Sequence, residues 1–350
     1  MSMQIPADRL AAAKRAFTTR NVDVADLTTV SMDIAPRAGD VVLARVLEVS
    51  AHTRLELPTS RKALLFAGDE VVLAYGNRYA PDQFEAYVPD DLGECHLAAA
   101  GGIAGRVVNK NGRMSDPTRI QPIGVFTTFS GGAVNLRDYA LRPLPIGRKV
   151  PGFAVVGGSM NAGKTTTAAS LVRGLALAGR KVGAAKLTGT GAGNDYWHMR
   201  DAGAAKVLDF TDAGMATTFK ATRSDLERAV HTIVGHLLGA GCDALVFEIA
   251  DGLFQEETSW LVSAPFMQRY VDGYFYAAEG AASAAMGVQW LGRHAEVLGV
   301  SGLVSVSPLG AREAFAATGY PCLSKEVLAS AEVGQRFLAA VSTRGAVQAA

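Results

Sequence analysis

Residues 158–165 read Gly-Ser-Met-Asn-Ala-Gly-Lys-Thr and satisfy the spacing G-x-x-x-x-G-K-[ST] at every fixed position. Each fixed residue type has a task in holding an anion. Glycines let the backbone curl so that successive N–H groups point inward, and a following helix adds the positive end of its dipole. Lys164 supplies a cation for the β- and γ-phosphates, and the Thr165 hydroxyl is a ligand for Mg²⁺. Gly158, Ser159, Met160, Asn161, Ala162, Gly163, Lys164, Thr165 and Thr166 are therefore the expected phosphate-binding residues. The pattern implies a nucleoside triphosphate as ligand and leaves open what that ligand drives.

For this chemistry the loop must lie between a buried strand and a helix. Residues 153–156 (Phe-Ala-Val-Val) read as the strand, and 166–178 as the helix, with Leu171, Leu175 and Ala178 on one face. A phosphate loop also needs an acid at the end of a neighbouring strand. Asp243-Ala-Leu-Val-Phe-Glu248 is an apolar run ending in one, so Glu248 is the first candidate to hold metal or position water, and Asp251 the second. A further run, 181–186, ends in Lys186. A lysine leaving a buried strand there faces the phosphates or an anionic substrate. Thr188 and Thr190 add hydroxyls, the glycines between them and Asp195 allow close backbone approach, and Asp195 is a third candidate metal ligand. His198 and Arg200 are near enough in sequence to act on the same ligand, although each reads equally well as a surface helix residue. Expected catalytic groups are Lys164, Lys186 and Glu248. Gln255-Glu-Glu-Thr258 reads as a mobile loop over the site.

From residue 148 onward, strand-like runs at 153–156, 181–186, 244–248, 273–277, 297–304 and 321–323 alternate with helical patterns. This alternation predicts an α/β fold with a mainly parallel sheet covered by helices on both faces. Ser224-Asp-Leu-Glu227 has the form of a capping box. It opens a helix whose Leu226, Val230, Ile233, Val234, Leu237 and Leu238 make one apolar stripe. Earlier in the chain the texture differs. Residues 7–18 suggest a short helix, and closely spaced runs at 41–49, 54–57, 63–66 and 70–75 suggest a small β-barrel or sandwich. Arg142-Pro-Leu-Pro-Ile-Gly147 has the composition of a linker. The expected organisation is an N-terminal helical segment (1–38), a β-rich domain (39–147) and a P-loop domain (148–350).

Composition narrows the partners. With Lys+Arg 34 against Asp+Glu 33, the chain has no bulk attraction for nucleic acid or an anionic membrane. Neither half is a basic module, since residues 1–150 carry 18 basic and 16 acidic side chains and the remainder 16 and 17. Cys95, Cys242 and Cys322 are far apart and lack metal-ligand spacing. Asp8, Arg9, Lys14 and Arg15 stand where a signal peptide needs an apolar stretch. These features lead to the expectation of a cytoplasmic protein, with neither nucleic acid nor membrane as partner.

The Gly-Lys-Thr-Thr-Thr run at 163–167 resembles the SIMIBI class of P-loop proteins, which includes dethiobiotin synthetase, the molybdopterin-guanine dinucleotide adaptor protein and the MinD/ParA ATPases. The early lysine of the MinD/ParA loop is replaced here by Gly157-Gly158. Val182-Gly-Ala-Ala-Lys186, followed by Asp195-Tyr-Trp-His198-Met-Arg200-Asp-Ala-Gly203-Ala204, is similar to the adaptor protein. By the dethiobiotin synthetase resemblance, Lys186 handles substrate while Asp195 and Glu248 bind the metal. Glu248 departs from the pattern, because Ile249-Ala-Asp251 intervenes before Gly252. No N-K-x-D guanine signal follows the late strand, so ATP with Mg²⁺ is the expected cofactor. The resemblance implies an ATP-dependent enzyme acting on a small anionic metabolite, with a nucleotide-dependent switch or adaptor acting on a protein partner as the alternative. Homodimerisation suits either.

Overall fold

The computed structural model describes residues 2–348, with side chains through Val341. It divides into two compact units. The first comprises Met1–Arg142, Gly189–Asn194 and Phe210–Ala221, and the second Pro143–Thr188, Asp195–Asp209 and Thr222–Ala350, within the described residues.

The second unit is the α/β part. Six strands, β1 (Gly152–Gly157), β2 (Val182–Thr188), β3 (Lys206–Asp209), β4 (Ala244–Ile249), β5 (Gly273–Ala277) and β6 (Val297–Ser301), form one sheet in the order β3-β2-β4-β1-β5-β6. Every pairing is parallel. The order places the phosphate-loop strand in the middle, so the loop leaving β1 has a strand end on either side. Both faces are covered, which is why β1, β2, β4 and β5 read as continuous apolar runs rather than alternating ones.

Helix α1 (Lys164–Leu177) buries Ala168, Leu171, Val172 and Leu175 against Phe153, Val155, Val246 and Phe275. Its Gly174 lies so close to the chain below that a Cβ there would sit 2.2 Å from the Leu328 carbonyl oxygen. The C-terminal helix (Ala331–Gln348) closes the same face, with Phe337 edge-on to Phe275 at 4.9 Å between ring centroids. Helix α2 (Gly193–Asp201) follows β2, and α3 (Arg223–Gly239) buries the expected stripe except Leu238, which is half-buried. Then come α4 (Glu256–Ser263), α5 (Ala281–Leu291) and α6 (Pro308–Thr318).

Three local expectations are corrected, and one strand is added. The cap of α3 is Thr222, whose hydroxyl accepts from the Asp225 N–H at 3.1 Å, and Ser224 lies inside the first turn. The run 297–304 ends as a strand at Ser301, because Gly302 takes φ +88 and redirects the chain. Residues 321–323 contribute a single bridge, Cys322 to Val300, where Pro321 has no N–H to extend a ladder. Strand β3 went unpredicted because four residues with charged ends are too short to show a period.

The first unit is β-rich. Strands Thr118–Phe126, Val41–Glu48, Glu70–Tyr75, Ile103–Lys110 and Cys95–Ala99 pair in sequence, and the last pairs back onto Thr118–Phe126. This closes a ring of five strands and removes their free edges. The expected helix over 7–18 stops at Ala12. Lys14–Arg15 instead pairs alongside Glu70–Tyr75, which brings Ala16 and Phe17 into the interior at 0 % and 1 % exposure. The N-terminal region also contributes the strands Ser2–Gln4 and Thr29–Ser31 to the sheet.

His52 gives this unit a pH dependence. Its Nε2 lies 3.1 Å from the Ala98 carbonyl oxygen, and burial, reinforced by the Arg78 charge, pushes its pKa down to about 4. The unfolded chain takes up a proton near the ordinary value of about 6.5 while the folded chain does not. Stability is therefore full above pH 6.5 and is lost as pH falls toward 4, by about 2–3 kcal/mol. Between pH 7 and 4.5 the urea midpoint should fall further for wild type than for His52→Gln, which retains a donor for Ala98.

Candidate functional site

The loop after β1 is shaped by its glycines. Gly163 takes φ +95 and caps α1, a conformation that side-chain-bearing residues rarely adopt. Around it the backbone is tied down on several sides. The Leu303 N–H donates to the Ala162 carbonyl at 3.1 Å, the Gly158 N–H to Ala277 at 3.1 Å, and the Leu253 N–H to Gly157 at 2.8 Å. The loop is thus held by the last residue of β5 and by residues following β4 and β6. Lys164 opens α1, is 3 % exposed, and donates from Nζ to the Ser159 carbonyl at 2.6 Å. Burial lowers its pKa, and the nearby Glu248 and Asp251 charges work against that lowering. Ser159, Asn161 and Thr166 are exposed, Met160 is half-buried, and Ala162 is fully buried.

Thr165 gathers the acids. Its Oγ1 lies 3.0 Å from Asp195 Oδ1 and 2.9 Å from Glu248 Oε1. A hydroxyl has one proton to donate. Two carboxylate oxygens therefore share a single donor, and the other oxygen of Glu248, Oε2, is buried with no hydrogen-bond partner. Glu248 itself is 2 % exposed. Burial, followed by the Asp195 charge, pushes its pKa up to about 7 against the pull of Lys186, Lys164 and the Thr165 hydroxyl.

Lys186 stands beside Glu248 in the β2–β4 register and pairs with Asp195 Oδ2. Burial opposes its charge, but Asp195, Glu248 and Asp251 outweigh that and hold its pKa above the ordinary lysine value. Asp251, in the turn after β4, is 9 % exposed. The extra residues between Glu248 and Gly252 thus bring in a further acid. The centre contains two lysines and three carboxylates, a formal excess of one negative charge before any ligand. A buried carboxylate oxygen without a donor, two acids converging on one threonine hydroxyl, and this charge excess all fit a divalent cation. Among the described residues no group of three or more His, Cys, Asp and Glu is arranged to hold a metal. That is compatible with Mg²⁺, which commonly uses one or two carboxylates and completes its shell with phosphate oxygens and water.

Other expected site residues are placed differently. Thr188 is fully buried and donates to the Ala250 carbonyl, an acceptor it shares with Thr258. Its hydroxyl holds the turn after β4. Thr190 belongs to Gly189–Asn194, which counts with the β-rich unit, and bridges Thr217 there. His198 and Arg200 are exposed on α2. The Arg200 guanidinium donates to the Ala204 and Ala205 carbonyls at 3.2 and 2.7 Å and so serves its own helix end. Gln255-Glu-Glu-Thr258 is no mobile loop. Gln255 caps α4 by accepting from the Thr258 N–H at 2.9 Å, and Gln255, Glu257 and Thr258 are buried.

Two acids escaped the sequence reading. Asp209 ends β3 in register with Lys186 and is 2 % exposed. Glu279 lies two residues beyond β5, and its carboxylate accepts from the Ser159 hydroxyl of the phosphate loop. An acid just past a legible apolar strand is the signal that could have found Glu279, whereas Asp209 ends a strand too short to be read.

No protein-family model matches the chain, and no curated protein matches it. Solved structures similar to it include the signal recognition particle 54 kDa protein of Aeropyrum pernix K1 in complex with GDP, at 20 % identity and a TM-score of 0.37. That likeness covers 59 % of this chain and 49 % of the other, so the chain spans about half the length of that protein. The signal recognition particle receptor FtsY of Elizabethkingia anophelis is similar at 15 % identity and a TM-score of 0.38, over 60 % of this chain and 74 % of that one. FtsY of Mycoplasma mycoides gives 14 % and 0.34, over 58 % and 70 %. Among the described residues no helix is long and apolar enough to cross a membrane.

Proposed function

We propose that the second unit binds a nucleoside triphosphate with Mg²⁺ and acts as a SIMIBI-like NTPase, transferring a phosphoryl group to, or activating, a small anionic acceptor. The observation that carries this reading is the convergence of Lys164, Thr165, Lys186, Asp195 and Glu248 at the ends of β1, β2 and β4. Thr165, Asp195 and Glu248 would hold the metal, with Asp251 close behind. When bound, the cation supplies charge neutralisation on the phosphates. Lys164 would meet the β- and γ-phosphates, with backbone N–H groups and the α1 N-terminus beside it. Lys186, already paired with Asp195, orients that acid and offers a cation to an acceptor carboxylate. ATP is the expected nucleotide, since the late strand runs into Ser305-Val-Ser307-Pro308 without a base-reading acid.

Isothermal titration of the protein with Mg–ATP and with Mg–GTP tests this directly. Micromolar binding of at least one is expected, with ATP preferred. No heat or saturation with either at millimolar nucleotide ends the reading, and a preference for GTP overturns the choice of base.

A nucleotide-dependent switch is the second reading. It is favoured by the path of the chain, which leaves the site at Thr188, folds with the β-rich unit through Gly189–Asn194, and returns at Asp195. Immobilised protein that captures one partner with ATP and releases it with ADP supports the switch. Hydrolysis that accelerates on adding a pooled small-molecule fraction supports the enzyme. Homodimerisation is proposed for either case and is read by light scattering with and without nucleotide.

A further inference from the structure

Glu279 approaches the phosphate loop from the flank opposite Glu248, since β5 and β4 lie on either side of β1. Its Oε1 accepts from Ser159 Oγ and its Oε2 from Ser283 Oγ at 3.0 Å. Both donors are neutral hydroxyls, and among the described residues no cation pairs with this carboxylate. The arrangement is tightly built. A Cβ on Gly158 would meet Ser283 Oγ at 2.7 Å and both Glu279 Oε2 and Tyr276 Oη at 3.0 Å, so the loop backbone lies directly against the cluster. Tyr276 is in turn fixed under α5, where a Cβ on Gly287 would fall 1.9 Å from its ring. An exposed, uncompensated anion bonded to the second residue of an anion-binding loop is electrostatically out of place. Its proximity to the start of α5 accounts for a helix-end role but not for the bond to Ser159.

We propose that Glu279 is a specificity-determining counter-charge that makes the loop discriminate between metal-bound and metal-free polyphosphate. A metal-neutralised triphosphate is repelled less by this carboxylate than a bare one. The inference rests on the phosphate-loop reading above and deepens it.

The test compares wild type, Glu279→Gln and Ser159→Ala by titration with Mg–ATP and with ATP in EDTA at low salt. Glu279→Gln should tighten metal-free ATP about tenfold, or about 1.4 kcal/mol, and Mg–ATP about threefold or less, with both gains shrinking at high salt. Ser159→Ala, which keeps the carboxylate, should not tighten metal-free ATP. A Glu279→Gln gain that is absent, or equal for the two forms, overturns the inference and leaves Glu279 as a helix-end residue. Failure of wild type to bind Mg–ATP at all is a different result and removes the phosphate-loop reading itself.

Discussion

Lys164→Ala should weaken Mg–ATP binding by about 100-fold or more, equivalent to about 2.7 kcal/mol. A lysine bridging phosphates makes charge-assisted hydrogen bonds worth about 1.5–3 kcal/mol each, and no other lysine opens α1. The substitution also has a folded-state cost. Lys164 donates to the Ser159 and Met160 carbonyls from a buried position, so alanine leaves loop acceptors unserved. A stability loss of about 1–3 kcal/mol is therefore expected alongside the affinity loss. Titration calorimetry measures the first and thermal unfolding the second. Affinity within threefold of wild type would show that the loop does not grip phosphate through this lysine.

Lys186→Ala should behave in the opposite proportion, with a large loss of stability and a smaller loss of nucleotide affinity. Lys186 is 8 % exposed and paired with Asp195 next to the buried Glu248. Removing one partner of a buried ion pair strands the other, at about 3–5 kcal/mol. For a unit of this size that corresponds to a fall in melting temperature of roughly 10 °C. Added Mg²⁺ should restore more stability to this variant than to wild type, since it supplies the missing positive charge. Lys186→Met combined with Asp195→Asn should be less destabilised than Lys186→Ala, because neither member of the ion pair is left charged without the other. Mg–ATP affinity of Lys186→Ala should fall by less than about tenfold, or 1.4 kcal/mol. If Lys164→Ala and Lys186→Ala lose affinity equally, Lys186 is a phosphate ligand.

These two lysines show how unevenly the site was legible. Lys164 and Thr165 stand out through a local motif, in which eight consecutive residues carry both the turn and the phosphate-binding pattern. The strands carrying Lys186 and Glu248 were equally readable, because strands buried on both faces are largely apolar runs in which a charged residue near the end stands out. Thr188 and Arg200 are both found on backbone carbonyls, for one physical reason. A hydroxyl or guanidinium beside a site is as useful to an unsatisfied backbone carbonyl as to a ligand, and only coordinates tell which it serves. Gln255-Glu-Glu-Thr258 looked solvent-exposed by charge, yet a helix start can bury such residues when their polar atoms are bonded.

The sequence by itself determined that this is an α/β protein with a loop of the phosphate-binding pattern, a lysine and an acid near strand ends, and a β-rich region ahead of it. Each of these depends on spacing within about ten residues, the range over which strand and helix periods and loop motifs are set. Tertiary structure alone decided that Asp195 and Glu248 meet on the Thr165 hydroxyl, that Lys186 pairs with one and stands beside the other, that five strands close into a ring, and that Glu279 holds Ser159. Strand order decides these. Residues 83 and 120 positions apart become neighbours because β4 and β5 are the strands that flank β1, and no local pattern specifies which strand lies beside which.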